Sequence, residues 1–369
     1  MTPQVPGNAQ SLADQAAALI GQMPDPSGGP ACAQLELELA EAFGVPHAVA
    51  VSSGTAALHA ALDACGIAPG DEVLVPALAV VMSASPVAAL GATPVFVDSD
   101  PATLDLDYED AARKVTARTR AVMPVHLWGR TGDPAALSRF AAEHGLAVIE
   151  DAAQAAGSVR DGQKAGTVGA AGCFSMKDGK ILWSGEGGFL LTARRDLAEH
   201  AAAFRTHWQQ PPPGQAPQSR LATNSRLAAP LALIALANLR RLPALLERRR
   251  AQARHLLRAL EAAPGLRALA PAPGEEWNCF APLLHIGLPH PRAFAEHLAQ
   301  QGVPNSTGSF RLVPCDTRPM FTSPGRAPCR GAAQALDRTL AVILTERDTE
   351  ATLDRYAAVI VRETSAWAT

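Results

Sequence analysis

The sequence predicts an α/β protein with a large domain built on a mostly parallel, seven-stranded sheet and a smaller α+β domain after it. Between residues 35 and 200, short apolar runs bounded by Gly, Pro or Asp alternate with segments of helical periodicity. Strands buried on both faces of a parallel sheet have this composition, and the helices between them form the crossovers. We expect the large domain at residues 1–235, and a linking helix with the small C-terminal domain at residues 236–369.

The elements of the large domain can be assigned in chain order. A helix with apolar residues three to four positions apart ends at Gly44, the strand HAVAVSS follows, and GTAALHAALDACG forms the next helix. The other strands are compact apolar runs: EVLVPA, ATPVFVD, RAVMPVHL, GLAVIED, AGCFSM and GGFLLT.

The second half of the chain begins with a loop and a long helical stretch. Residues 209–220 (QQPPPGQAPQSR) are too polar and too rich in Pro to form core. The Leu- and Arg-rich stretch beyond them is helical, and Pro243 is expected to break or kink it. Residues from about 264 onward form the small α+β unit, which ends in a helix around residues 348–362.

Composition and charge exclude several classes of protein. With 369 residues, 48% of them hydrophobic and 18% charged, the chain is too apolar for a disordered protein. The chain has a net charge of −3, and its Lys and Arg residues are scattered along the sequence. A nucleic-acid binder would instead have an excess of basic residues. No apolar run approaches the length of a membrane span, and the N-terminus lacks the pattern of a secretion signal. We therefore expect a cytoplasmic protein that binds neither nucleic acid nor membrane.

The cysteines and histidines give no indication of a metal site. The six cysteines are dispersed and never form a CxxC pair, and the ten histidines form no HExxH or HxH cluster. We expect no metal, and reduced, mostly buried thiols.

The motif SSGTAAL at residues 52–58 runs from a strand into the start of a helix. The amide groups of a helix N-terminus at Gly54, with the Thr55 hydroxyl beside them, can hold a phosphate group. The same residues also form an ordinary helix cap, so the motif alone leaves both interpretations open.

The motif IEDAAQ at residues 149–154 places a carboxylate at the C-terminal end of a strand, where α/β sheets bind ligands. Asp151 and Gln154 are near enough in sequence to face one planar ligand. A lone Asp at a strand end is also often structural.

The third motif, GCFSMKDGKILWSGEGG at residues 172–188, carries two lysines between a strand and a Gly-rich turn. A lysine held there and desolvated has a lowered pKa, which prepares it to act as nucleophile and base. The pattern allows this for Lys177 or Lys180, and the alternative is that both are solvent-facing loop residues.

Together the three motifs describe a site for pyridoxal 5′-phosphate (PLP). This cofactor needs a phosphate cradle, a carboxylate that keeps its ring nitrogen protonated, and a lysine that holds its aldehyde as a Schiff base and then moves a proton. A dinucleotide site would instead need GxGxxG after the first strand, and the sequence has none there.

Over nearly its whole length, the chain resembles the DegT/DnrJ/StrS group of PLP-dependent sugar and aminocyclitol aminotransferases, which have fold type I. The resemblance extends from SGGP at residues 27–30 through GATPVFVDSDPATLDLD to the final helix. Its marks are SSGTAAL, PVHLWG, EDAAQA, the pattern FS-x4-K followed by SGEGG, and NSRL at residues 224–227.

The resemblance implies a role for each site residue. It selects Lys180 as the Schiff-base lysine, because this residue lies six positions after Phe174 and five before Gly185. It assigns Asp151 to the ring nitrogen and Gln154 to the phenolic oxygen of the cofactor. The residues implied to hold the phosphate are Gly54, Thr55 and Ser175, with Asn224 and Arg226 reaching it from the partner subunit of a homodimer.

The chain departs from the family pattern in two places. Where the family has PxxT followed by an aromatic residue that stacks on the ring, this chain has PALAV, with Ala79 and Val80 at those positions. The change removes about 1 kcal/mol of stacking and leaves space above the ring. The family's Asn-Tyr-Arg-Met-x-Glu becomes Asn-Ser-Arg-Leu-Ala-Ala, so the usual nucleotide-sugar substrate is not implied.

The implied activity is transfer of an amino group from glutamate or glutamine to a keto-sugar or keto-cyclitol, in the biosynthesis of a secondary metabolite or a surface polysaccharide. An amino-dehydratase resembling 3-amino-5-hydroxybenzoate synthase is an alternative, in which Arg311 of SFRLVP would pair with a substrate carboxylate. A PLP-binding regulator without turnover is a second alternative, and the retained Lys180, Asp151 and Gln154 argue against it.

Overall fold

The computed structural model describes residues 29–321 and 327–367, so the first two residues of SGGP lie outside the described part. Nine strands precede the linking helix: β1 (His47–Val51), β2 (Glu72–Pro76), β3 (Thr93–Val97), β4 (Thr119–Val122), β5 (Ala147–Asp151), β6 (Val159–Arg160), β7 (Gln163–Lys164), β8 (Ala171–Ser175) and β9 (Gly188–Thr192). All but β6 and β7 match the seven predicted strands.

These seven strands form one sheet in the order β1-β9-β8-β5-β4-β2-β3. They run in one direction except for β9, which is antiparallel to both of its neighbours. The parallel strands β2, β4, β5 and β8 are almost entirely buried, which explains their continuous apolar sequence. The prediction of a mostly parallel, seven-stranded sheet is confirmed.

Helices cover the sheet of the large domain. They are α1 (Gly29–Phe43), α2 (Gly54–Ala64), α3 (Val81–Ala89), α4 (Tyr108–Lys114), α5 (Pro134–His144) and α6 (Arg195–Phe204). The first ends as predicted at Gly44, whose φ of +74° suits a residue without a side chain. Because β1, β5 and β8 run in the same direction, their C-terminal ends meet at one sheet edge, and α2 begins there.

Two helices lead away from the large domain. The helix α7 (Ala229–Arg240) packs against α1, and α8 (Leu242–Ala259) carries Pro243 in its first turn. The two axes meet at 68°, so the predicted break at Pro243 is confirmed. The domain division expected after residue 235 falls inside α7, and we propose that the division lies at this bend.

No single helix among the described residues is both long and apolar enough to cross a membrane. Only the bent pair formed by α7 and α8 meets that criterion when the two are taken together.

The α+β unit expected from residue 264 onward is present. Its elements are β10 (Leu266–Ala268), β11 (Glu275–Glu276), β12 (Leu283–Ile286), α9 (Pro291–Gln300), α10 (Arg330–Asp337), β13 (Thr339–Ala341) and α11 (Glu350–Trp367). The strands β10, β12 and β13 form an antiparallel sheet. A separate hydrophobic core, which includes the fully buried Leu256, Phe294, Leu340 and Ile360, holds this sheet against α8, α9 and α11.

A buried carboxylate ties the small unit to the large domain. The Glu275 side chain accepts hydrogen bonds from Arg130 Nε at 2.9 Å and from the Thr131 amide at 2.8 Å. Nearby, the Trp277 indole N–H donates to the Trp128 carbonyl at 2.9 Å. These bonds fix the start of the small unit against the segment that follows β4.

Four of the six cysteines are buried, as the sequence predicts: Cys32, Cys173, Cys315 and Cys329. The other two are partly buried, and burial raises the pKa of the Cys65 and Cys279 thiols to about 11.

Glu150, the penultimate residue of β5, is completely buried. Its carboxylate accepts hydrogen bonds of 2.7 to 2.9 Å from the amide groups of Gly166, Val168 and Gly169, and it lies 2.9 Å from His126 Nε2. Burial raises the pKa of this carboxyl, but His126 and the amide donors outweigh burial, so the net pKa is lowered. The loop before β8 is therefore held by a buried negative charge.

Replacing this carboxylate tests its contribution to stability. Glu150→Gln places an amide NH2 among backbone N–H donors and is expected to lower the free energy of unfolding by about 2–4 kcal/mol at neutral pH. A carboxyl whose pKa is lowered by folding stabilises the protein above its unfolded-state pKa, and this stabilisation is lost as the pH falls through the folded-state pKa. In urea unfolding experiments, the difference in unfolding free energy between Glu150→Gln and wild type should therefore shrink progressively as the pH falls below 4.5, the ordinary pKa of a glutamate.

The matched control is Glu143→Gln, which changes an exposed carboxylate on α5 and should leave the unfolding free energy unchanged. If the loss of unfolding free energy in Glu150→Gln stayed constant down to about pH 3, Glu150 would not be ionised in the folded protein.

Candidate active site

The N-terminus of α2 lies at the sheet edge, against the ends of β8 and β9. Ser53 caps the helix, because its Oγ accepts a hydrogen bond of 3.1 Å from the Ala56 amide. The amide groups of Gly54 and Thr55 are in the first turn, where they have no acceptor within the helix. They are therefore placed to bind an anion.

Two glycines allow the helix to begin so close to the sheet. A Cβ atom on Gly54 would lie 2.9 Å from the Cβ of Ser175, and one on Gly188 would lie 2.4 Å from the carbonyl carbon of Ser53. A side chain at either glycine would push the helix away from the strands. The structure thus brings together Gly54, Thr55 and Ser175, the three residues expected to hold the phosphate from this chain.

Asp151 ends β5 at the same edge and is only 3% exposed. Its Oδ1 accepts a hydrogen bond of 3.1 Å from the Ala153 amide, and its Oδ2 accepts one of 2.6 Å from the Ser83 hydroxyl. Such a buried carboxylate is costly to place in a protein unless donors surround it. Asp151 is predicted from its motif, whereas no motif marks Ser83.

The oxygen of the Gln154 side-chain amide already accepts a hydrogen bond within the protein. Its Oε1 accepts a hydrogen bond of 2.6 Å from the Trp128 amide, which leaves the NH2 group as the end that can donate to a ligand. The Trp128 backbone has a φ of +58°, unusual for a bulky residue. The Gln154 carbonyl is held as well, by a hydrogen bond of 2.9 Å from Asn278 Nδ2.

The structure separates the two candidate lysines of the loop between β8 and β9. Lys177 is exposed, whereas Lys180 is half-buried and its Nζ lies 5.1 Å from the centre of the Phe280 ring. Burial lowers the pKa of Lys180 to about 8, with a smaller effect in the same direction from Lys177 and an opposing one from Asp151. An amine with this pKa is partly unprotonated at neutral pH, as a nucleophile or base must be.

Phe280, which covers Lys180, comes from the small unit and was not identified from the sequence. Its amide donates to Asn278 Oδ1 at 2.8 Å, and its carbonyl accepts from Arg249 Nη1 at 3.0 Å. Hydrogen bonds to both the amide and the carbonyl of Phe280 therefore fix the backbone that carries the ring. The same Asn278 side chain donates to the Gln154 carbonyl, so one amide connects the aromatic cover to the loop of Gln154.

The segment of Asn224 and Arg226 runs beside the cradle of its own chain, because the Ser52 amide donates to the Ser225 carbonyl at 2.8 Å. Asn224 is exposed and Arg226 is half-buried. Within the described ranges, neither side chain forms a hydrogen bond or an ion pair. Both are therefore available to a group that this single chain does not supply.

The two residues expected near the substrate occupy neighbouring segments. Val80 is half-buried and immediately precedes α3, and Arg311 is exposed with a φ of +49°. The Cys315 amide donates to the Ala77 carbonyl at 2.8 Å, and the Cys315 thiol donates to the Ala79 carbonyl at 3.2 Å. These bonds place the segment after Arg311 against the turn that contains Val80.

These groups form a chemically coherent set. A helix N-terminus for an anion, a buried carboxylate for a cationic ring nitrogen, an amide donor and a lysine with a pKa of about 8 match the phosphate, ring nitrogen, phenolic oxygen and aldehyde of PLP. Because Gly54 has no Cβ, the N-terminus of α2 packs directly against Ser175, which places the first-turn amides beside the Ser175 side chain. The residues present therefore fit this cofactor.

Comparison with known proteins gives the same assignment. The model of the DegT/DnrJ/EryC1/StrS aminotransferase family matches residues 13–360. Among solved structures, DesV of S. venezuelae, in complex with a ketimine intermediate, has a TM-score of 0.85 and 30% identity, and the match covers 95% of this chain and 94% of that one.

Two curated relatives match at higher identity over shorter regions. GDP-perosamine synthase of Caulobacter vibrioides is 45% identical over 178 residues, which cover 48% of this chain and 48% of that protein. L-glutamine:2-deoxy-scyllo-inosose aminotransferase of Streptomyces lividus is 46% identical over 181 residues, which cover 48% of this chain and 43% of that protein. The chain thus spans about half the length of the curated relatives it matches.

The two lysines of the loop provide a matched test of the site. Lys180→Ala is expected to abolish the visible absorbance of covalently bound PLP, because it removes the half-buried amine beside Phe280, whose pKa Asp151 influences. Lys177→Ala, which removes the exposed amine on the same loop, is expected to retain that absorbance. Absorbance spectra of the two purified, PLP-reconstituted variants decide the point. Loss of the band in Lys177→Ala alone would show that the wrong lysine has been assigned.

Proposed function

Because this chain belongs to the DegT/DnrJ/EryC1/StrS aminotransferase family, whose cofactor is PLP, we propose that it is a PLP-dependent aminotransferase that moves an amino group from glutamate or glutamine to a keto-sugar or keto-cyclitol. The observation that carries the proposal is the half-buried Lys180, with its pKa lowered to about 8, at the same sheet edge as the buried Asp151 and the N-terminus of α2.

When bound, PLP supplies an aldehyde that captures amino groups covalently and a ring that accepts the electrons released when a C–H bond is broken. Asp151, whose carboxylate is fixed by hydrogen bonds from the Ser83 hydroxyl and the Ala153 amide, would hold a proton on the ring nitrogen. The Gln154 NH2 group donates to the phenolic oxygen. The first-turn amides at Gly54 and Thr55, with the Ser175 hydroxyl, hold the phosphate.

Lys180 is the group that moves the proton. With a pKa of about 8, its amine would take a proton from the substrate carbon that carries the amino group and would return it to the former aldehyde carbon, on the other side of the shared nitrogen. The Phe280 ring, 5.1 Å from Nζ, keeps water away from this amine. In the second half of the reaction the same lysine performs the reverse transfers on the keto acceptor.

The substrate class follows from the relatives and from the space at the site. The names of the two curated relatives include a sugar nucleotide product and a cyclitol acceptor with glutamine as donor. Val80 stands where an aromatic residue would cover the ring, and a small residue there leaves room for an acceptor. We therefore place the enzyme in the biosynthesis of an aminosugar or aminocyclitol, for a secondary metabolite or a surface polysaccharide.

Amino transfer can be observed in two half-reactions. The purified enzyme is incubated with glutamate or glutamine, which should remove the visible absorbance as PLP takes up the amino group. Keto-sugars and keto-cyclitols are then added one at a time, and the proper acceptor should restore the absorbance. Dehydration of an acceptor to an aromatic amine would instead favour the amino-dehydratase. PLP binding without either half-reaction would favour the regulator.

We further propose that the enzyme is a homodimer in which Asn224 and Arg226 reach the phosphate held by the partner subunit. Their side chains have no partner within the described chain, and a dianionic phosphate binds more donors than one helix N-terminus offers. A two-fold axis makes both sites equivalent.

Subunit mixing tests this arrangement. Lys180→Ala subunits are mixed with subunits that carry both Asn224→Ala and Arg226→Ala, each inactive as a homodimer. A heterodimer collects all defects in one site and leaves the other intact, so random exchange should restore about a quarter of wild-type activity. If mass spectrometry of differently tagged subunits shows exchange and no activity returns, Asn224 and Arg226 serve their own chain.

A further inference from the structure

Ser83 lies in the first turn of α3 and is completely buried. Its hydroxyl donates a hydrogen bond of 2.6 Å to Asp151 Oδ2, and no other hydrogen bond of that hydroxyl occurs in the described part of the chain. Serines in helices usually bond back to the carbonyl four positions earlier. Ser85 on the same helix does so, with a bond of 2.9 Å to the Val81 carbonyl.

The carbonyl four positions before Ser83 belongs to Ala79, which lies before the start of α3, so the helix itself offers Ser83 no such acceptor. The Ala79 carbonyl accepts a hydrogen bond of 3.2 Å from the Cys315 thiol. The Ser83 hydroxyl instead donates across the sheet edge to Asp151, 68 positions away in sequence.

The carboxylate is fixed from two sides. Ser83 donates to Oδ2, and the Ala153 amide donates to Oδ1 at 3.1 Å. The Ala153 bond comes from the same loop as Asp151 itself, so it moves with the carboxylate. The Ser83 bond comes from α3, a separate element, and so does not move with that segment.

We propose that Ser83 is a positioning residue, whose hydroxyl sets the orientation of the Asp151 carboxylate and stabilises its negative charge toward the ring nitrogen of PLP. This inference rests on the proposed function, in which Asp151 faces that nitrogen. Hydrogen bonds to an ionised group are short and strong, and the burial of Ser83 keeps water from replacing this one.

The experiment compares two ligands that differ only at the ring nitrogen. The apoenzyme is titrated with PLP and with deaza-PLP, in which a C–H group replaces the nitrogen, and intrinsic tryptophan fluorescence reports each dissociation constant. We define the preference for PLP as the dissociation constant of deaza-PLP divided by that of PLP. Since the two ligands differ only at the ring nitrogen, this ratio measures the contribution of contacts to that nitrogen. A change in overall folding or in the phosphate cradle alters both constants and leaves their ratio unchanged.

Ser83→Ala is expected to reduce the preference for PLP at least fivefold, on the order of the loss of one hydrogen bond to a charged group. Ser83→Thr, which keeps the hydroxyl, should restore the preference to within about twofold. The matched control is Ser85→Ala, whose hydroxyl bonds locally and whose loss should leave the preference unchanged. Thermal unfolding of each variant verifies that it is folded, and Ser83→Cys, with its weaker donor, replaces Ser83→Thr if the added methyl group prevents folding.

Asp151→Asn distinguishes failure of this inference from failure of the proposed function. A wild-type preference in Ser83→Ala, with the preference lost in Asp151→Asn, overturns the positioning role alone. Equal weakening of both ligands in Ser83→Ala also overturns it, since the hydroxyl would then be only structural. A wild-type enzyme that binds neither ligand, or shows no preference, overturns the assigned role of Asp151 together with this inference.

Discussion

Two consecutive carboxylates at the end of β5, Glu150 and Asp151, must both be buried, and much of the surrounding structure follows from that requirement. Neighbouring residues of a strand point to opposite faces of the sheet, so each carboxylate needs its own set of donors. Glu150 obtains three amide groups from the loop before β8 and a contact with His126. Asp151 obtains the Ser83 hydroxyl and the Ala153 amide. The loop before β8 and the helix α3 are therefore each tied to the end of β5 through one of these carboxylates.

Much of this architecture is readable from sequence because its signals are local. A strand buried on both faces is a continuous apolar run, so all seven strands of the main sheet could be predicted, together with the helix end at Gly44 and the break at Pro243. The two lysines show the limit of such signals. Their pattern favours neither, and only the resemblance selects Lys180, which the structure places under Phe280 while Lys177 is exposed.

The residues that escaped prediction act across long sequence separations. Ser83 lies in an ordinary apolar helix, and nothing near it in sequence marks its bond to Asp151. Phe280 and Asn278 belong to the small unit and meet the site only after the chain has folded back on the large domain. The domain boundary expected after residue 235 stays a prediction, and that position lies within α7, which packs against α1.

Asn278 and Trp128 connect the loops around Lys180 to one another. Its side chain bonds to the Gln154 and Ala156 carbonyls and to the Phe280 amide, so the aromatic cover over Lys180 and the Gln154 loop form one rigid unit. The segment that carries Arg311 is joined to the same loops, because the Leu312 amide donates to the Ser306 carbonyl and the Ser306 hydroxyl accepts a hydrogen bond from the Trp128 indole N–H. The Trp128 amide in turn donates to the Gln154 side chain. A change around Arg311 can therefore be transmitted through Trp128 to the loop of Gln154.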